Sequence, residues 1–169
     1  LGSLLADADH QRLAAGESVD HALGTPSGHR YRVNVFRCDR GLGAAFRVLP
    51  KNAPDLSTLG LPSGLADLAD LRDGLVVVCG PTGCGKSTTI AGLAFEALRR
   101  RRGVLITLED PIEYHFPTLP GTVVRQREIG RHVRDFATGL RDALREDPDL
   151  LVVGEMRDAE SIQLALTAA

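Results

Sequence analysis

Eight consecutive residues, GPTGCGKS from Gly80 to Ser87, place three glycines, a lysine and a hydroxyl at the spacing of a phosphate-binding loop. Gly80, Gly83 and Gly85 let the backbone turn with its N–H groups inward. The helix that follows adds partial positive charge where anionic phosphate would sit. Lys86 supplies a full charge to the β- and γ-phosphates of ATP, and Ser87 offers a hydroxyl to a Mg²⁺ ion that keeps several of its waters. The nucleotide-binding set is therefore Gly80, Pro81, Thr82, Gly83, Cys84, Gly85, Lys86, Ser87 and Thr88, with Thr88 expected mainly to open the helix. A chance match to a Gly-rich turn is the alternative. An apolar run before the motif and the helical run STTIAGLAFEAL after it argue against that alternative.

A phosphate loop binds nucleotide, but hydrolysis also needs an oriented or activated water. In open α/β sheets the ligand lies beyond the carboxyl ends of the strands, so residues just after later strands are the ones able to reach it. Glu109 and Asp110 follow the apolar run VLITL, with Glu113 close behind, and Glu155 follows LLVVG. A carboxylate there can orient or deprotonate water, or hold Mg²⁺ through its hydration shell. Glu155 and Glu109 are the candidates. The competing role for each is a helix cap or a turn former. Gly154 stands where a strand-end Asp usually holds Mg²⁺, which leaves the ion to Ser87, the phosphates and water-mediated contacts with Glu109 and Glu155.

The elements that must position these groups are read from periodicity. From Leu75 onward, apolar strand-like runs (Leu75 to Cys79, Val104 to Leu108, Leu150 to Val153) alternate with helical patterns starting at Lys86, Asp135 and Ala159. Such alternation predicts an α/β fold with parallel strands joined by helical crossovers. Earlier in the chain, Leu4 to Ala15 predicts a short helix. Tyr31, Val33 and Val35 alternate with polar neighbours and, with Ala44 to Val48, predict a β-hairpin across the loop Asp39 to Gly43. A two-residue turn at Asp39 and Arg40 would set Arg32 opposite Arg47, which is destabilising unless an anion lies between them. The segment from Pro50 to Pro62 is rich in turn residues and reads as a linker, and Ser63 to Leu71 as a short amphipathic helix. Residues 1–50, 51–73 and 74–169 are thus expected as a first domain, a linker with a short helix, and a nucleotide-binding core. Arg99 to Arg102 read as a solvated helix end, with contact to nucleic acid or lipid the lesser option.

Bulk properties remove several function classes. A net charge of −2 gives no global attraction to nucleic acid or acidic lipid. No apolar run approaches the roughly 20 residues that span a bilayer, so no membrane insertion is expected. Cys38, Cys79 and Cys84 show neither a metal spacing nor a disulfide framework, which fits a reducing cytoplasm. The five histidines show no ligand or triad spacing. The first residue is not Met and Leu164 to Ala169 read as a helix without a stop signal, so a fragment open at both ends is expected.

The stretches YRVNVFRCDRGLGAAFRVLP, GPTGCGKSTTIAGL, ITLEDPIEY, QREIG and ALREDPDLLVVGEMRDAESIQLALTAA together resemble the type II/IV secretion and type IV pilus ATPases, especially the PilT-type retraction motors of twitching motility. They span Tyr31 to Ala169. The resemblance implies part of a small α+β PAS-like domain followed by an incomplete RecA-like P-loop core, in a homo-hexamer with nucleotide at the subunit borders. It maps the family's acidic box onto Glu109, Asp110 and Glu113. It makes Gly154 before Glu155 the family's normal form and Glu155 the catalytic base. It also implies that Arg32 and Arg47 reach the γ-phosphate, where two solvated strand arginines are the competing reading. The family's His-containing box and C-terminal helical domain fall beyond Ala169, so these residues alone are expected to bind ATP weakly and hydrolyse it little.

The expected function is an ATP-binding and ATP-hydrolysing subunit of a motor that retracts type IV pili. It would sit in the cytoplasm and meet the inner membrane through a pilus platform protein, with no nucleic-acid partner. A pilus assembly or type II secretion ATPase of the same family is the alternative. A nucleotide-gated scaffold with little hydrolysis is the alternative of another class.

Overall fold

Alternating apolar residues on three segments build the first unit, residues 1–51. The structure, a computed structural model, describes residue 5 and residues 7–169. Strands β1 (Val19–Gly24), β2 (Arg30–Cys38) and β3 (Gly41–Leu49) form an antiparallel sheet in that order. The hairpin has the two-residue turn expected: Cys38 pairs with Gly41, and Arg32 lies directly opposite Arg47. Helix α1 (Asp7–Ala14) sets Leu13 into a core with Val19, Val33 and Val35. Leu4, the expected start of that helix, lies outside the described residues. β1 was not anticipated, because VDHALG carries two charged or titratable residues and ends in glycine.

In the second unit, residues 52–169, three parallel strands run in the order β5-β4-β6. They are β4 (Gly103–Glu109), β5 (Thr122–Glu128) and β6 (Leu150–Val153). Central β4 buries Leu105, Ile106, Thr107 and Leu108 completely. Each of its large apolar side chains contributes about 1.5–3 kcal/mol by leaving water. Helices start where the sequence places them. α2 spans Lys86–Arg101, α3 spans Phe136–Ala143 and α4 spans Ala159–Ala168. Asp135 and Asp158 cap the last two by accepting from the Thr138 and Ser161 amides at 2.7 and 2.8 Å. β5 escaped the apolar-run criterion because only Val123 and Val124 of its seven residues are apolar. On one face Thr122, Val124, Gln126 and Glu128 are buried or half-buried, a face that is itself largely polar, and Arg127 on the other face is half-buried as well.

One expectation is corrected. Residues 75–79 do not join a sheet, and Leu75, Val76 and Val77 are exposed. A cavity of about 370 Å³ is lined both by Val76 and Val78 and by Leu151 and Val153 of β6, so the run has no ladder partner among the described residues. The short helix expected at Ser63 to Leu71 is the 3₁₀ helix Ser63–Asp70, preceded by another at Leu56–Leu59, and residues 52–73 pack as part of the second unit. The arginines that end α2 are largely exposed, as expected of a solvated helix end, and they are also paired. Arg99 pairs with Asp55 at 2.9 Å, Arg100 with Asp70 and Glu96 at 2.7 Å each, and Arg101 donates to the Leu71 carbonyl. They fasten the 3₁₀ segment to α2. Among the described residues no helix is long and apolar enough to cross a membrane.

Candidate nucleotide site

The phosphate loop leads directly into α2. Gly83 and Gly85 adopt the left-handed backbone, with φ of 81° and 97°, which a side chain would strain. At Gly80 a Cβ would lie 2.6 Å from the Cys84 sulfur, which would have to turn away. Lys86 folds back over the loop, its Nζ donating to the Gly80 and Pro81 carbonyls at 2.9 Å each. An ammonium has three donors, so one remains for a phosphate oxygen. The unpaired N–H groups of the first turn of α2 add to the attraction for an anion. Ser87 is exposed in that turn, where its hydroxyl can meet a hydrated cation.

The two acid-bearing strand ends lie side by side. Leu108 of β4 pairs with Val153 of β6, and the Gly154 amide donates to the Leu108 carbonyl at 2.8 Å. A Cβ at Gly154 would come within 3.2 Å of that carbonyl oxygen and 3.4 Å of the Glu109 Cα. Glycine is thus the residue that lets β6 finish tight against β4, and the acid follows one position later as Glu155. Glu155 is partly exposed and pairs at 2.9 Å with the highly exposed Arg157. Such a surface pair is worth about 0–1 kcal/mol and does not commit the carboxylate.

Glu109 is held quite differently. Its Oε1 accepts from the Thr107 hydroxyl at 2.6 Å and from the Gln126 amide at 3.1 Å, and the Glu113 backbone N–H also donates to the carboxylate. Burial nevertheless raises its pKa, outweighing these hydrogen bonds, with the Glu113 charge adding a smaller push. The native state therefore keeps the Glu109 proton to higher pH than the unfolded chain. Stability from this group falls as pH rises from the ordinary carboxylate range through the raised native value. Glu109→Gln should be more stable than the wild type near neutrality, and this advantage should vanish at about pH 4. Denaturant midpoints of both proteins at the two pH values check it.

Asp110 is exposed and follows Glu109 into a loop that Pro111, Ile112 and Glu113 continue. Two contacts in this region escaped the sequence. Thr88, given only a helix-opening role, has its hydroxyl 2.8 Å from the Tyr114 hydroxyl. Gln126 lies opposite Thr107 in the register and bonds to Glu109 and to the loop behind it. The only sequence signal for Gln126 is its place in QREIG, because the strand that presents it is not apolar.

Arg32 and Arg47 belong to the first unit and are described within it. They face each other across β2 and β3, with Arg47 exposed. The anion that this like-charged pair was expected to require is supplied in part from within, since the Asp20 carboxylate lies 3.4 Å from the Arg32 Nε. The pair is thus tolerable in the unit by itself.

Comparison with known proteins gives a consistent set of likenesses. Residues 6–169 match the family described as Type II/IV secretion system protein. The chain is 43% identical over 163 residues to the twitching motility protein of Neisseria gonorrhoeae, covering 95% of this chain and 43% of that one. It is 44% identical over 151 residues to the type IV pilus retraction ATPase PilT of Pseudomonas aeruginosa, covering 89% and 44%. Its structure superposes on the crystal structure of the pilus retraction motor PilT with bound ADP at a TM-score of 0.90 and 43% identity, covering 99% of this chain and 49% of that one. The chain spans about half the length of the curated relatives it matches.

Proposed function

The chain belongs to the Type II/IV secretion system protein family, and on that premise we propose that it is the nucleotide-binding part of a hexameric ATPase that retracts type IV pili. The observation that carries the reading is the tight junction of β4 and β6 at Gly154, which brings the acids after both strands together in a unit that also carries the loop Gly80 to Ser87. In this reading residues 1–51 are part of a PAS-like domain and residues 52–169 are the front of a RecA-like core. The likeness to the gonococcal twitching motility protein and to PilT favours retraction over assembly or secretion.

Mg²⁺ fits the donors present. Among the described residues no cluster of three or more His, Cys, Asp or Glu is arranged to hold a metal, so the ion would rest on Ser87 and the phosphates, with Glu109 and Glu155 reached through water. When bound, it neutralises charge on the β- and γ-phosphates. The loop amides and Lys86 orient the triphosphate, and Glu155 accepts the proton of the attacking water. Arg32 and Arg47, delivered from a neighbouring subunit, stabilise charge on the γ-phosphate. The motor acts in the cytoplasm, against an inner-membrane platform protein. The experiment is to restore the full-length gene to a non-twitching deletion strain. Recovered pilus retraction together with Mg²⁺-dependent ATP turnover by the purified protein supports the reading. Turnover with pilus assembly or secretion restored instead replaces retraction by the sister function, and binding without turnover replaces the motor by a nucleotide-gated scaffold.

A further inference from the structure

Gln126 uses all of its carboxamide on one loop. Its Oε1 accepts from the Phe116 amide at 3.2 Å and lies 3.3 Å from the His115 Nδ1, while its Nε2 donates to the Glu109 Oε1 at 3.1 Å and to the Tyr114 carbonyl at 2.8 Å. A carboxamide offers two donors and two acceptor lone pairs, so no capacity is left over. Two residues further along β5, on the same face, the Glu128 Oε2 accepts from the Ile112 amide at 3.2 Å. The far end of the loop then meets α2, where the Tyr114 and Thr88 hydroxyls are 2.8 Å apart. Thr88 directly follows Ser87 of the phosphate loop.

We propose that Gln126 is a positioning residue, which seats residues 109–116 so that Glu109 stays at the end of β4 and Tyr114 reaches the first turn of α2. An amide serves here because the loop presents both kinds of partner. The carboxylate of Glu109 and the Tyr114 carbonyl need donors, and the Phe116 amide needs an acceptor. No other side chain of this length satisfies both. Gln126→Met removes both halves of the clamp. Gln126→Glu keeps the acceptor half, loses the donor half and sets a second carboxylate beside Glu109.

The inference rests on the ATPase reading, and two readouts on the full-length protein separate them. In Gln126→Met, amide exchange over residues 110–116 should quicken about tenfold or more while exchange in the core of β4 is unchanged. In Gln126→Glu the Phe116 amide keeps its protection, because the acceptor half of the clamp is retained. Loop exchange unaltered in Gln126→Met, or protection lost equally throughout the unit, would overturn the positioning role. So would Phe116 protection lost in Gln126→Glu as fully as in Gln126→Met. A wild-type protein that never turns over ATP refutes the ATPase reading alone, because the exchange experiment still decides for or against Gln126.

Discussion

Glu155→Gln in the full-length protein is expected to bind ATP as the wild type does and to lose turnover by about 100- to 10,000-fold, the usual contribution of a positioned general base. The carboxamide has the same shape and keeps an acceptor oxygen, but it cannot take a proton from water. Binding should be spared because the groups proposed to face the phosphates are the loop amides and Lys86, all within residues 80–88. Folding is spared because the side chain is partly exposed and its one ion pair is with the exposed Arg157. Titration with ATP, a thermal melt and single-turnover kinetics together isolate the chemical step. Turnover retained within a few-fold would remove Glu155 from the chemistry and leave Glu109 as the remaining strand-end acid.

Lys86→Ala should fail one step earlier. The ammonium is the one full positive charge that the loop itself carries, and truncating one partner of a desolvated charge pair costs about 2–5 kcal/mol. At about 1.4 kcal/mol per tenfold, ATP affinity falls at least about 30-fold, and turnover is lost even where ATP is raised to compensate. The variant also loses the two bonds from Nζ to the Gly80 and Pro81 carbonyls, so the loop relaxes as well as losing its charge. Lys86→Arg is not expected to rescue it, because a planar guanidinium does not fit the same point contact. Calorimetric titration of ATP into both variants checks the affinity. Undiminished binding in Lys86→Ala would mean that nucleotide is held elsewhere.

The loop before α2 and the helix starts were legible because their constraints are local. A loop that wraps phosphate needs glycine at fixed steps and a lysine at the helix start, so Gly80 to Ser87 can be read without knowing any long-range contact. Asp135 and Asp158 mark helix starts for the same reason, as each cap bonds an amide three residues on. The register of Arg32 against Arg47 followed from one turn length. What escaped depends on neighbours distant in sequence. β5 pairs with β4 although only Val123 and Val124 of its residues are apolar, and that pairing gives Gln126 a partner in Glu109. Leu75 to Cys79 shows the opposite case, where apolar composition meets the local condition for a strand but no ladder partner lies beside it. Gly154 stands out in the sequence as a departure from the usual strand-end Asp. Its cause, the 3.2 Å approach to the Leu108 carbonyl that a Cβ would make, is visible only in three dimensions.

The most direct measurement is a structure of the full-length assembly with Mg²⁺ and a non-hydrolysable ATP analogue. The account predicts phosphates wrapped by residues 80–87 with Lys86 on the γ-phosphate, the Glu155 carboxylate nearest the position of the attacking water, and Arg32 and Arg47 arriving from the adjacent subunit. A γ-phosphate remote from both Glu109 and Glu155 would contradict it.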